Sequence, residues 1–256
     1  GVSGYFCCLD AETGKPVWER SLHEEFGLLS TYGGRTNVPV LYDDTVIASA
    51  VVIGWGDTPE WGLMAKPAHR FMAFDQETGE LRWLKGTRLI PSDTTYSTPT
   101  VVEIDGVDCL VFGSGDGQIW ALQAGTGLPV WNYGFSRRGI NASPTVGPDG
   151  TVYAGHSEEN LVGNTQGGLV AIEKDGQERW IDFEIMAGKS APLVIGDQLF
   201  VVDDRAKLLS FDTKTGKQTG KKALGTVQRS TPLYADGKLY IATNDGRWYT
   251  FEVDGA

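Results

Sequence analysis

The chain has 256 residues, 41% apolar and 21% charged, with 33 Asp and Glu set against 22 Lys and Arg. A net charge of -11 argues against nucleic acid as a partner, because phosphate contacts need a basic surface. The longest apolar run, Val46 to Ile53, falls well short of the ~20 residues a membrane-spanning helix requires, and Cys7, Cys8 and Cys109 are too few for a disulfide framework and are not spaced as zinc ligands.

In chain order the first element is an alternating strand through Cys7 and Cys8, which places one thiol on each face as a small packing residue. It runs into the phrase Leu9-Asp10-Ala11-Glu12-Thr13-Gly14, which ends at Trp18. The same phrase returns as Phe74-Asp75-Gln76-Glu77-Thr78-Gly79 with Trp83, and as Leu122-Gln123-Ala124-Gly125-Thr126-Gly127 with Trp131. It recurs one residue shorter before Gly176 and Trp180, without a Trp after Gly216, and once more up to Gly255. Successive glycines of the phrase are 65, 48, 49, 40 and 39 residues apart. That is the period of a propeller blade, with insertions in the early intervals.

Two further signals recur in phase. Ser97-Thr98-Pro99, Ala142-Ser143-Pro144, Ser190-Ala191-Pro192 and Ser230-Thr231-Pro232, with Asn37-Val38-Pro39, begin a strand A. Asp149-Gly150, Gly196-Asp197 and Asp236-Gly237 mark the tight turn into a strand B, because such turns need positive φ. Strand C then leads into the phrase, the phrase is the C-to-D hairpin, and D carries the Trp. No helical periodicity interrupts the pattern, so the chain is expected to be nearly all β. It reads as C and D, four complete A-B-C-D blades, then A, B and C, twenty-one strands in all. We therefore expect one β-propeller domain over residues 1–256, with about five four-stranded antiparallel blades present. The odd strand points to a ring of six to eight blades cut at Gly1 and Ala256, the alternative being a closed five-bladed ring with one strand left over.

The Asp-x-x-Thr-Gly-x-x-x-Trp phrase, coupled to Ser-x-Pro and Asp-Gly-x-x-Tyr, resembles the tryptophan-docking repeat of PQQ-like, quinoprotein-type propellers over essentially the whole chain. The segments 24–35 and 155–160 are similar to uncharacterised PQQ-like proteins of bacterial envelopes. The resemblance implies that Trp18, Trp83, Trp131 and Trp180 pack between neighbouring blades, and that the chain lies in the periplasm or cell envelope. It implies two functions of different kind: a non-catalytic binding or assembly scaffold, which is the leading reading, or a PQQ- and Ca2+-dependent dehydrogenase of alcohols or sugars. A shared fold does not carry a shared reaction.

Alternation of strands puts the A-B and C-D turns on one face and the B-C and D-A loops on the other. The second set holds every long insertion, and irregular loops on a rigid scaffold are where binding residues collect. A protein partner or a small anionic ligand is expected there. Three residues before each strand-A proline stand Thr36, Tyr96, Asn141, Lys189 and Arg229, with Arg35 beside Thr36. Either they ring the channel mouth and hold a small anion, as the three carboxylates of PQQ would require, or they bond the ends of the A strands. Trp55 and Asp57 lie on the first insertion, Trp55 as an aromatic floor or a loop anchor. Glu158, Glu159 and Asn160 offer the hard oxygen ligands that Ca2+ takes, or form a solvated acidic loop. The dispersed His23, His69 and His156 match no zinc spacing.

Overall fold

The computed structural model describes residues 4–27, 38–51, 69–88, 95–226 and 229–253. These form twenty-one strands and one short helix, in six successive antiparallel sheets. The first sheet pairs β1 (Tyr5–Leu9) with β2 (Pro16–Ser21), and the second is β3 (Val40–Tyr42), β4 (Thr45–Val51), β5 (His69–Asp75) and β6 (Leu81–Gly86). The third is β7 (Thr100–Ile104), β8 (Val107–Gly113), β9 (Gln118–Gln123) and β10 (Pro129–Gly134); the fourth is β11 (Thr145–Val146), β12 (Val152–Glu159), β13 (Gln166–Ile172) and β14 (Glu178–Asp182). The fifth is β15 (Leu193–Ile195), β16 (Gln198–Asp203), β17 (Lys207–Asp212) and β18 (Gln218–Ala223), and the sixth is β19 (Leu233–Ala235), β20 (Lys238–Ala242) and β21 (Trp248–Glu252). Strand order follows chain order in every sheet, as in the blades of a propeller.

Each buried cluster sits between two successive sheets. Phe74 and Met72 meet Leu22 and Phe6 at the first interface, and Phe71 and Ala73 meet Leu110 and Phe112 at the second. Val111 and Ile119 meet Ala154 and Val170 at the third, Tyr153 and Leu169 meet Val201 and Leu209 at the fourth, and Val202 and Leu208 meet Leu239 and Ile241 at the fifth. Such a core is quasi-one-dimensional, since each sheet buries its faces only against its neighbours.

The repeated phrase builds one turn several times. Asp75 Oδ1 accepts from the Thr78 amide (2.8 Å) and hydroxyl (3.0 Å), and the Gly79 amide donates back to the Asp75 carbonyl (2.9 Å). Asp10 with Thr13 and Asp212 with Thr215 repeat the arrangement. The turn closes on a left-handed residue, Gly79 at φ +70° and Gly127 at φ +70°, a conformation open to Gly at no steric cost. Immediately afterwards every C-D pair slips register: Ala73 pairs with Trp83 but Phe74 with Leu81, and Ala121 pairs with Trp131 but Leu122 with Pro129. The skipped residue is a bulge, and the Trp is the first residue beyond it.

That bulge aims the indole at the next sheet. Trp18 Nε1 donates to the Gln76 carbonyl (2.9 Å), Trp83 to Ala124 (3.1 Å), Trp131 to Lys174 (2.9 Å) and Trp180 to Thr213 (2.9 Å). Each ring covers the phrase glycine of that next turn: a Cβ on Gly79 would come within 2.6 Å of Trp18, and one on Gly127 within 2.6 Å of Trp83. The glycine is therefore required twice, for its φ and for the ring above it. In the fifth sheet Gly220 occupies the Trp register, opposite Ser210, and the contact to the sixth sheet includes a Tyr249 hydroxyl bond to the Leu224 carbonyl (2.8 Å).

Among the described residues the chain is nearly all β, as expected, with one helix, and two details need correction. A short helix, α1 (Leu22–Phe26), follows β2; Ser21 caps it by accepting from the Glu24 amide, and Glu25 returns the bond to the Ser21 amide (3.0 Å). Cys7 is exposed and Cys8 half-buried, both as free thiols, so alternation holds but only one of the pair packs. The A strands begin just after the proline rather than at the serine, because proline has no N–H to give a ladder.

Candidate binding face

The Ser-x-Pro segments are staples between and within sheets. Ser97 Oγ accepts from the Gly113 amide (2.8 Å), Ser143 Oγ from the Thr98 amide of the preceding sheet (2.9 Å), and Thr231 Oγ1 from the Ala191 amide (3.2 Å). Ser190 Oγ donates to the Ser230 carbonyl (3.1 Å). These bonds, with β11 lying beside both β7 and β15, make the A strands the innermost ones and put their lead-in residues on the loop-rich face.

On that face Tyr96, Lys189 and Arg229 are exposed and Asn141 is half-buried. Tyr96 and Asn141 follow residues bonded to each other, Thr95 through its hydroxyl and Ile140 through its carbonyl. Lys189 and Arg229 precede the bonded pair Ser190 and Ser230. Lys189 also acts on Asp204, whose carboxyl is pushed up by burial and drawn back by the Ser157 hydroxyl and the Lys189 charge. Arg35, Trp55 and Asp57 lie outside the described residues.

Glu158 and Glu159 are the last residues of β12 rather than part of a loop, and the loop that begins at Asn160 has a structural anchor. Ser136 and Asn160 form an isolated antiparallel bridge, the Arg137 amide donates to the Glu159 carbonyl (2.9 Å), and Arg138 pairs with the Glu159 carboxylate (3.3 Å). Asn160 is buried, its amide donating to the Thr165 carbonyl (3.0 Å) and its side chain to the Thr165 hydroxyl (2.9 Å). Glu158 is half-buried. Among the described residues no three His, Cys, Asp or Glu are grouped so as to hold a metal ion. At the tip of the loop Leu161 is 48% exposed and Val162 85%.

Sequence reasoning missed two features on this side of the molecule. Asp116, buried in the β8-β9 turn, accepts from Trp120 Nε1 (3.2 Å to Oδ2), the Gln118 amide (3.2 Å) and the Arg88 amide (3.3 Å). The second is a groove of about 530 Å³ between the fourth and fifth sheets. Its only linear signal is the run of basic residues from Arg205 to Lys222.

Antiparallel blades in which the turns at Gly79, Gly127, Gly176 and Gly216 each receive an indole from the sheet before define a tryptophan-docking, PQQ-like β-propeller. The chain belongs to the family of the outer membrane protein assembly factor BamB, whose family model matches residues 1–168 and again residues 165–256. It is similar to the BamB of Shewanella oneidensis, with 26% identity over 259 residues covering 95% of this chain and 58% of that protein. The chain thus spans about three fifths of the length of the curated relatives it matches. The crystal structure of BamB from Moraxella catarrhalis superimposes with a TM-score of 0.52 at 20% identity, covering 99% of this chain and 78% of that one. The quinohemoprotein alcohol dehydrogenase of Comamonas testosteroni gives 0.56 at 14% identity, covering 95% and 61%. At these identities the structural likeness speaks for the fold alone.

Proposed function

We propose that this chain is a non-catalytic scaffold of the bacterial cell envelope that binds partner proteins through its B-C and D-A loops during outer membrane protein assembly. Family membership and relatives named as assembly factors support the reading. The observation that carries it is the pair Leu161 and Val162, held in water at 48% and 85% exposure on a loop that is not loose. Ser136, Arg137 and Arg138 tie that loop to its neighbour. Two apolar side chains fixed on a hydrogen-bonded loop lose little freedom on binding, which is how a pre-organised contact gains affinity. We place the protein at the periplasmic side of the envelope; among the described residues no helix is long and apolar enough to cross a membrane. Residues 1–256 are taken as an arc of one propeller ring of six to eight blades.

Removing the gene should lower the amount of β-barrel protein in the outer membrane, measured by quantitative blotting of membrane fractions. Restoring the protein with Leu161→Asp and Val162→Asp should leave that defect, while the wild-type chain repairs it. Unchanged barrel levels in the deletion strain would refute the assembly role.

The quinone-dependent reading is favoured by one feature, the exposed cations Lys189 and Arg229 at equivalent positions of adjacent sheets, which suit carboxylates. PQQ bound there would supply a hydride acceptor, with these two side chains only binding and orienting it. Stoichiometric uptake of PQQ with Ca2+, together with reduction of a dye by alcohols or sugars, would replace the scaffold reading.

A further inference from the structure

We propose that the groove between the fourth and fifth sheets is a second binding surface, built for an extended, carboxylate-bearing segment of a partner protein. Thr165, at the foot of the loop that carries Leu161 and Val162, borders this surface, but neither of those two residues lines it. Its floor and walls come from Phe183, Met186, Arg205, Lys207, Gln218 and Lys221.

Strand register sets the direction of the two lysines. Leu209 pairs with Lys221 and Lys207 with Ala223, and directly paired residues share a face of the sheet, as do residues two apart in one strand. Leu209 is packed against Tyr153, Leu169 and Ile185 of the fourth sheet and its loop. Lys207 and Lys221 therefore point to the same side, into the groove. No ion pair among the described residues involves either, the nearest pairs in sequence being Arg205 with Asp203 and Lys214 with Asp197.

The third cation is fixed in place. Asp203 is fully buried, receives the Arg205 amide (2.7 Å) and grips the guanidinium through Nε (3.0 Å) and Nη2 (2.6 Å), while the same Nη2 reaches the Glu184 carbonyl (2.7 Å). Half of the Arg205 side chain remains in contact with solvent. An arginine held by a buried carboxylate needs little reordering to meet a second one.

Charge decides the class of partner. The chain carries a net -11, yet the groove is lined by three cations, Arg205, Lys207 and Lys221, against Glu184 and Asp203, and Asp203 is taken up by Arg205. A basic groove on an acidic molecule steers acidic segments to one place and repels them elsewhere. Glu184 stands at the rim, so the groove is not a uniform phosphate trap. Phe183, 46% exposed, adds an aromatic wall of the kind that anchors an apolar side chain between charged contacts.

The test is fluorescence anisotropy on the purified chain, with a labelled octapeptide in which glutamate alternates with phenylalanine and valine. The peptide should bind, and binding should weaken as salt is raised. Lys207→Glu with Lys221→Glu should weaken it by about tenfold or more and Phe183→Ala by about threefold, the range in which removal of charged and aromatic interface contacts falls. Leu161→Asp with Val162→Asp should leave it unchanged. Unfolding curves of each variant separate lost binding from lost fold, and Lys221→Gln is the milder substitute should the double charge reversal fail to fold. The proposal is overturned if the peptide does not bind, if the lysine variants bind it equally, or if a peptide with lysine in place of glutamate binds as well. Full displacement by inorganic phosphate, or equal binding of a single-stranded oligonucleotide, would also overturn it in favour of a general anion site.

Discussion

Trp83→Ala should lower the unfolding free energy by about 3 kcal/mol or more, within the range for large aromatic truncations, and Trp131→Ala by a similar amount. Two terms combine. The indole leaves a hole against the buried cluster of Phe71, Leu110 and Phe112, and the Ala124 carbonyl loses its donor, worth about 1 kcal/mol. The ring is half-buried, which keeps the expected loss at the lower end. Trp248 is the control: it is 65% exposed, and Trp248→Ala should stay within about 0.5 kcal/mol of wild type, as surface changes do. Denaturant unfolding of the three variants decides the matter. If Trp83→Ala and Trp248→Ala melt alike, the docking of blade on blade is not what holds the sheets together.

The receiving glycine offers an independent check on the same contact. Gly106 and Gly127 both have positive φ, but nothing lies within 4 Å of a Cβ at Gly106, whereas one at Gly127 meets Trp83. Gly106→Ala should therefore cost only the left-handed backbone penalty, about 1–2 kcal/mol. Gly127→Ala should cost that plus the displaced indole, and in a Trp83→Ala background the excess should vanish.

The repeat was legible because its chemistry is local. Asp75, Thr78 and Gly79 bond to one another within five residues, so their spacing survives in the linear text, and with it the order of the strands and the identity of the docking Trp. The bulge that aims each Trp was not legible: Val17, Arg82, Val130, Arg179 and Thr219 are skipped in turn, and no common residue type marks them. The helix after Ser21 is too short to show a period, and only its capping pattern could have revealed it. The loop-face residues Tyr96, Asn141, Lys189 and Arg229 were placed at equivalent lead-ins by counting back from proline, and the structure keeps that equivalence. What counting could not supply was the groove. It depends on two lysines fourteen residues apart sharing a face through register, on an aromatic from the adjacent sheet, and on an arginine turned by a buried carboxylate. None of these relations is periodic in sequence.

Stability should fall steeply as the pH drops from about 6.5 towards 4, by on the order of a few kcal/mol, because two histidines are buried in the neutral form. His69 lies between Phe71 (4.6 Å between ring centroids) and Phe112 (5.6 Å), and among the described residues neither of its ring nitrogens has a hydrogen-bond partner. Burial drives its pKa down to about 3. His156 packs edge-on against Phe135 (4.3 Å), and burial takes it down to about 4 against the opposing pull of Asn160 and the Glu158 backbone. The unfolded chain takes up both protons below about 6.5, the folded chain only below about 4 and about 3. The unfolded state therefore binds more protons throughout this window, and stability rises with pH across it. The carboxylates act lower down. Asp75, Asp149, Asp203 and Asp212 are held below the usual carboxylate range, Asp75 mainly by Arg82 and Asp212 mainly by Thr215, so their contribution is intact above about 3.8 and is lost only beneath it. Asp204, raised by burial, works in the opposite sense and gains stability on protonation. Denaturant unfolding at pH 7, 5.5 and 4.5 on wild type, His69→Phe and His156→Phe separates these groups, with Asp204→Asn removing the opposing one. Each histidine substitution should flatten the slope between pH 6.5 and 4.5 by about 1 kcal/mol per pH step while leaving the steep loss below pH 3.8 in place. A slope that both variants retain would assign the acid sensitivity to carboxylates and show that the two imidazoles reach water or a partner once charged.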